Sequence, residues 1–189
     1  GIIIKQIKQI ENLVNEFSDF ARMPKPILKD NNLVLIIADN VKLLKELDLK
    51  IKINFIYKRE IINLNCDNEQ LSRVFFNLIK NSIESIQVKR KDMPDFNGKI
   101  DIEIIDNSDY IEFIVIDNGL GFEIFANNIK DILNPYFTTK KMGTGLGLAI
   151  VNKIINDHNA SINFISIQAG AKIIIKFLKD DNWNTNYRR

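Results

Sequence analysis

Ile111-Glu112-Phe113-Ile114-Val115-Ile116-Asp117-Asn118-Gly119-Leu120-Gly121 is a very apolar run that ends in a carboxylate and a glycine turn. Such a run fits a strand buried within a sheet, and Asp-Asn-Gly is a common turn signal at its end. Upstream, Lys99–Ile105 reads as a strand joined to Tyr110–Ile116 by the turn-forming Asp106-Asn107-Ser108-Asp109, which predicts a hairpin. Downstream, periodicity disappears from Asp117 to Gly143, a stretch with three of the chain's eight glycines near its ends and Pro135 between them. So long a structureless stretch in a compact domain is either a lid or disordered.

Working outward, Leu146 to about Asp157 predicts a helix, and Ser161–Ile167 with Ala171–Leu178 a closing strand pair across Gln168-Ala169-Gly170. On the other side, Asp67 stands at an N-cap position. Leu71, Val74, Phe75, Leu78, Ile79, Ser82 and Ile86 then form the stripe of a helix to about Val88, followed by a loop over Met93 to Gly98. Before these, Asn31 to Leu47 predicts a helix through Leu33, Ile36, Ile37, Val41, Leu44 and Leu47. Lys50 to Tyr57 predicts a half-buried strand with Ile51, Ile53 and Phe55 on one face. The order is helix, strand, helix, two strands, loop, helix, two strands. That segregation predicts an α+β two-layer sandwich, helices on one face of a largely antiparallel sheet, rather than a doubly wound fold.

At the N-terminus Ile3, Ile7, Ile10, Val14, Phe17 and Ala21 follow the a/d spacing of a coiled coil or helical bundle. The prolines of Arg22-Met23-Pro24-Lys25-Pro26 end that helix in a stiff joint. An amphipathic helix packing on its own domain has the same pattern. The expected organisation is a helical appendage at 1–23, a linker at 24–30, a core domain at 31–179 and a polar tail at 180–189. The 189 residues are 46% hydrophobic with a net charge of +2, which excludes a disordered chain and argues against an electrostatic nucleic-acid binder. No apolar run nears the roughly 18 residues needed to cross a bilayer, and a signal-peptide pattern is missing. Cys66 is the sole cysteine, so an intramolecular disulfide and a cysteine metal cluster are excluded and a reducing compartment is expected. Asparagine is so abundant that it is a weak functional signal by itself.

Four clusters carry chemistry. Asn77 and Asn81 share one helix face, flanked by Lys80 and Glu84, and their amide oxygens suit a magnesium ion that takes further oxygens from phosphates. Taken alone they read more readily as solvent-facing residues of an Asn-rich protein. Asp117, acceptor-only when ionised, can take a proton from an exocyclic amine such as that of adenine, while Gly119 and Gly121 let backbone approach a flat ring. A plain turn is the alternative. Gly143-Thr144-Gly145-Leu146-Gly147 abuts a helix N-terminus after Lys140 and Lys141, an arrangement that frees N–H groups for phosphate oxygens; a flexible hinge would also explain the glycines. It matches neither the dinucleotide fingerprint nor the P-loop. Asn134-Pro135-Tyr136-Phe137-Thr138-Thr139-Lys140 can anchor a lid whose hydroxyls and lysine reach phosphates, with core packing of Tyr136 and Phe137 as the ordinary reading.

In this order the clusters resemble the N box (Asn77 to Glu84), first glycine box (Asp117 to Gly121), F box (Pro135 to Lys140) and second glycine box (Gly143 to Gly147) of bacterial sensor histidine kinases. The resemblance covers most of Asp67 to Leu178 and implies the Bergerat ATP-binding fold shared with Hsp90, type II topoisomerases and MutL. Phe17-Ser18-Asp19-Phe20-Ala21-Arg22-Met23-Pro24 resembles the end of the second dimerisation helix in NtrY-like kinases of the nitrogen-regulation type. By this resemblance Asp117 would hold the adenine amine. Asn81 would bind Mg2+ with Asn77 assisting. Lys80, Phe137, Thr138, Thr139, Lys140 and the backbone of Gly143, Thr144, Gly145, Leu146 and Gly147 would complete the nucleotide site, with Gly119 and Gly121 against the ring. Ser82 and Ser85 stand where alanine is frequent and are expected to matter little.

The implied reaction is transfer of the ATP γ-phosphoryl group to a histidine, then to an aspartate of a response regulator. The acceptor is expected on a helix preceding Gly1, so this stretch would bind Mg-ATP without phosphorylating itself. His158, the only histidine, matches a family His-Gly-Gly position at a helix end, where it acts structurally beside a left-handed Asn159. Implied partners are the chain's own dimerisation domain, a second copy in the intact protein and a receiver domain, with neither nucleic acid nor direct membrane contact. A cytoplasmic location is implied, and parent kinases of this kind are often anchored in the bacterial inner membrane. A non-catalytic relay module or an ATPase of the Hsp90 or MutL kind are the competing readings. Intact boxes weigh against the first, and Asn77, standing where those ATPases carry a glutamate, against the second.

Overall fold

The computed structural model describes residues 2–122, 133–135 and 144–179. Helix α1 (Ile2–Ala21) leads through the proline joint to β1 (Lys29–Asn32), α2 (Leu33–Lys45), β2 (Lys52–Tyr57), β3 (Asn63–Cys66) and α3 (Asn68–Asp92). Then come β4 (Lys99–Asp106), β5 (Tyr110–Asp117), α4 (Gly147–Asp157), β6 (Ser161–Ile167) and β7 (Gly170–Leu178). Five strands form one sheet in the order β2-β4-β5-β7-β6, parallel only between β2 and β4. The α+β sandwich is as expected: Ile100, Ile102, Ile104, Ile111, Phe113, Val115, Ile173, Ile175 and Phe177 turn one sheet face into a core with α2, α3 and α4. The other face carries such groups as Glu112 and Lys176, paired at 3.7 Å.

The strand period places Asp117 on the helix-facing side, opposite Ile100 of β4 and Ala171 of β7. Helix α3 crosses that side as the central helix, packed by α2 and α4. Its start is set by Asp67, whose carboxylate accepts from Gln70 N at 3.0 Å and from Ile27 N at 2.8 Å. His158 joins the ends of two helices: its Nε2 accepts from Asp67 N at 3.0 Å, and its Nδ1 lies 2.8 Å from Ile154 O, so the proton sits on Nδ1. Asn159 takes φ 53, the left-handed cap conformation expected there.

Three differences from the sequence reading have physical causes. The helix expected from Asn31 starts at Leu33, because Asn32 caps it by accepting from Val34 N at 3.1 Å. Strands β1 and β3 form a separate antiparallel pair that the sequence left unassigned; they are four residues each, and KDNN and NLNC carry little apolar alternation. Helix α3 outlasts its apolar stripe by a turn, held by Arg90 on Asp48 at 2.9 Å and by Lys89 on two carbonyls. Along α1 the apolar seam stays exposed at Ile3, Ile7, Ile10, Val14 and Phe17, while Phe20 packs on the core. Among the described residues no helix is long and apolar enough to cross a membrane.

Candidate functional site

Asp117 ends β5 with 4% of its surface exposed, in contact with the helix layer rather than with solvent. Its Oδ2 accepts from Ser82 Oγ at 2.8 Å and its Oδ1 from Gly119 N at 2.9 Å. Burial pushes this carboxyl above the ordinary Asp range, against the opposing pull of the Gly119, Ser82 and Ala171 donors and the Lys89 charge. An ionised carboxylate has about four lone-pair directions, so beside the Gly119, Ser82 and Ala171 donors about one is left for a ligand donor.

The turn after it is clamped to α3. Leu120 N donates to Ser85 Oγ at 2.9 Å, and Lys89 Nζ donates to the carbonyls of Asn118 (2.8 Å) and Gly119 (3.0 Å) while lying 4.3 Å over the Phe96 ring. A Cβ on Gly119 would lie 2.9 Å from both Asp117 Oδ1 and the Ser85 Cβ, so the approach of helix to turn requires glycine there. Gly121 has φ 74 and backs onto the Gly170 backbone, which closes the loop against the β6–β7 turn. Asn118 points away and ties the turn to the start of β4: it accepts from Lys99 N at 2.8 Å and donates to Asn97 O at 2.9 Å. Asn77, Asn81, Ser85 and Lys89 thus form one row along α3, spaced by fours, beside this turn.

The row's other end meets the second glycine cluster. Asn77 Nδ2 donates to Arg73 O at 2.9 Å, which turns Oδ1 outward to within 3.4 Å of where a Cβ on Gly147 would sit. Asn81 is half-buried one turn on. Leu146 buries its side chain and offers no side-chain cap to α4, so only its backbone, with that of Gly145 (φ 70) and Gly147, faces the cluster. Thr144 Oγ1 accepts from Leu146 N at 3.3 Å and donates to Glu16 Oε2 of α1. Lys80 is half-exposed, 3.8 Å from Glu84 and 5.9 Å from the Phe76 ring centroid. Phe137, Thr138, Thr139, Lys140 and Gly143 lie outside the described residues.

Residues far apart in sequence are therefore brought together as two linked ends: Asp117 and Gly119 over α3, and Asn77 beside Gly147. Two small neutral oxygens without a carboxylate suit a divalent ion only where phosphates supply the charge, and no group of three His, Cys, Asp or Glu stands ready to hold a metal among the described residues. One expectation is corrected. Ser82 and Ser85 are not interchangeable with alanine, since one donates to Asp117 and the other accepts from the turn. Sequence reasoning placed Ser82 in the apolar stripe; the available signal was a hydroxyl in that stripe immediately after Asn81. Lys89 and Asn118 were also passed over.

The family described as histidine kinase-, DNA gyrase B-, and HSP90-like ATPase matches residues 66–181. A Rickettsia conorii protein described as an NtrY-like sensor histidine kinase is 36% identical over 177 residues, 93% of this chain and 28% of the relative. The nitrogen regulation protein NtrY of Azorhizobium caulinodans is 34% identical over 165 residues, 85% of this chain and 20% of the relative. The chain thus spans less than a third of the length of these relatives. The nucleotide-free catalytic domain of histidine kinase ThkA superposes with a TM-score of 0.69 at 28% identity, covering 81% of this chain and 98% of that one. The same kinase in complex with response regulator protein TrrA gives 0.74 at 26% identity, covering 94% of this chain and 49% of that one.

Proposed function

The chain belongs to the histidine kinase-, DNA gyrase B- and HSP90-like ATPase family, and on that premise we propose that it is the ATP-binding catalytic part of a sensor histidine kinase, with α1 the end of a dimerisation helix. The observation that carries the adenine site is the buried Asp117, held by Ser82 and Gly119 with acceptor capacity to spare. Its carboxylate accepts the exocyclic amine, and the turn at Gly119 and Gly121 lies against the purine. Asn81 and Asn77 hold Mg2+, which when bound neutralises phosphate charge. The backbone of Thr144 to Gly147 faces the phosphates at the N-terminus of α4, with Gly143 assigned there by family resemblance. Lys80 and the Phe137 to Lys140 segment complete the site by family resemblance.

The work of these groups is to hold the triphosphate in line with an incoming histidine and exclude water. Phosphoryl transfer through a loose transition state asks mainly for that positioning and for charge neutralisation. The phosphoacceptor histidine and the receiver domain of a response regulator are the proposed partners, the former on a dimerisation helix paired with α1. Titration calorimetry with Mg-ATP tests the reading: saturable binding is expected, and absence of heat across a wide concentration range would overturn it. Extending the chain to include the acceptor helix should yield acid-labile, base-stable phosphate from labelled ATP.

A further inference from the structure

Among the donors to Asp117, a backbone N–H and a side-chain hydroxyl differ in standing. Gly119 N belongs to the same turn and moves with it, whereas Ser82 Oγ projects from α3, an element buried between α2 and α4. Ser82 is 2% exposed, and a hydroxyl at such a place in a helix can satisfy itself on the carbonyl one turn back. Here it reaches across to Oδ2 at 2.8 Å instead. Resting on the adenine site proposed above, we propose that Ser82 is a positioning residue that sets purine specificity: its hydroxyl fixes Asp117 as a pure acceptor, so the site takes a purine with an amine at C6 and refuses one with an oxygen.

The argument is one of donors and acceptors. An ionised Asp117 meets an amine with a hydrogen bond, but meets a C6 oxygen as a second acceptor, at the cost of an unmade bond in a dry site. The carboxyl escapes that conflict only by taking up a proton and becoming a donor. Burial already favours the protonated form, and the Ser82 donor is one of the groups opposing it. Loss of the hydroxyl therefore weakens the hold on an amine and eases the penalty against an oxygen at once. Ser85 keeps the turn on Leu120 N independently, so removal of Ser82 takes one donor from the carboxylate and leaves the turn in place.

The test is calorimetric titration of the chain with Mg-ATP and with Mg-ITP, whose base carries oxygen at C6. The unaltered chain should prefer ATP. Ser82→Ala should cut the ATP-to-ITP affinity ratio roughly tenfold. Ser82→Cys, which fills the site with a slightly larger side chain and a weaker donor, should move it the same way and serves if the alanine variant does not fold. A ratio within about twofold of the unaltered chain in both variants, with ATP and ITP weakened equally, would mean that the serine only packs, and the proposal would fall. Asp117→Asn separates the premise: unchanged ATP affinity there overturns the adenine site and the serine's role together. Weakened ATP binding in Asp117→Asn with an unmoved ratio in the Ser82 variants overturns the serine's role alone.

Discussion

The chemistry of a single buried carboxylate carries most of the functional weight. Asp117→Asn keeps the shape but turns an acceptor into a donor where the purine amine would arrive, so ATP affinity should fall by roughly 1–3 kcal/mol in calorimetry. The pH dependence follows from the direction of the shift. Burial raises the folded-state pKa of Asp117, so its contribution to stability is greatest in acid and is lost as pH rises through that raised value. If Asp117 holds the adenine amine as proposed, ATP reverses the preference, because the amine needs the ionised form: affinity should be full above the raised pKa and decline as pH falls through it. A flat affinity across that window would contradict the assignment. Gly119 is constrained by space rather than charge. A methyl there meets Ser85 and Asp117, so Gly119→Ala should cost roughly 1–3 kcal/mol in denaturant unfolding and weaken ATP binding as well.

Among the elements, α3 is the one on which fold and site converge. One face builds the core through Leu71, Val74, Phe75, Leu78, Ile79 and Ile86, and the adjoining row from Asn77 to Lys89 meets both glycine clusters. That the apolar stripe was legible and the serine contacts were not has a plain cause: periodicity reports which face is buried, while the partner of a buried hydroxyl depends on which strand end arrives there. The same limit hid β1 and β3, whose pairing is long-range and whose residues are polar. The helix ends were more legible because capping is local. At Asp67, burial pushes the carboxyl up, but the N–H groups of Gln70, Ile27 and Glu69 and the nearby His158 outweigh it, leaving the pKa below the ordinary value. Its stabilisation is therefore present at neutral pH and lost as pH falls through the lowered value. Asp67→Ala should cost roughly 1 kcal/mol at neutral pH, measured by urea unfolding, and that difference should shrink in acid. His158→Ala should likewise lower stability, since it removes the link between Asp67 N and the end of α4, with ATP affinity unchanged.

At the scale of the whole molecule, the order of helices and strands along the chain was enough to anticipate the layers, because segregated runs of strands and helices pack as a sheet with helices on one face. The parallel pairing of β2 with β4 was not legible, since a strand's pattern does not name its neighbour. Nor was the contact of α1 with the site. Asp19 lies 3.2 Å from Arg73, Gln70 donates to Pro24 O at 3.0 Å, and Glu16 accepts from Thr144 within the second glycine cluster. This lodges a carboxylate at the rim of a cup proposed to receive phosphates. Like charges a few ångströms apart in a solvated setting repel by about 1 kcal/mol. Glu16→Gln keeps an acceptor for Thr144 and removes only the charge, so it should tighten ATP binding roughly threefold to fivefold while leaving adenosine affinity unchanged. Raising the salt should erase the difference, because the rim is exposed to screening. Parallel titrations of ATP and adenosine at low and high salt decide it. An equal gain for both ligands would place the effect in folding or packing of α1, and no gain for ATP would mean that the carboxylate does not face the phosphates.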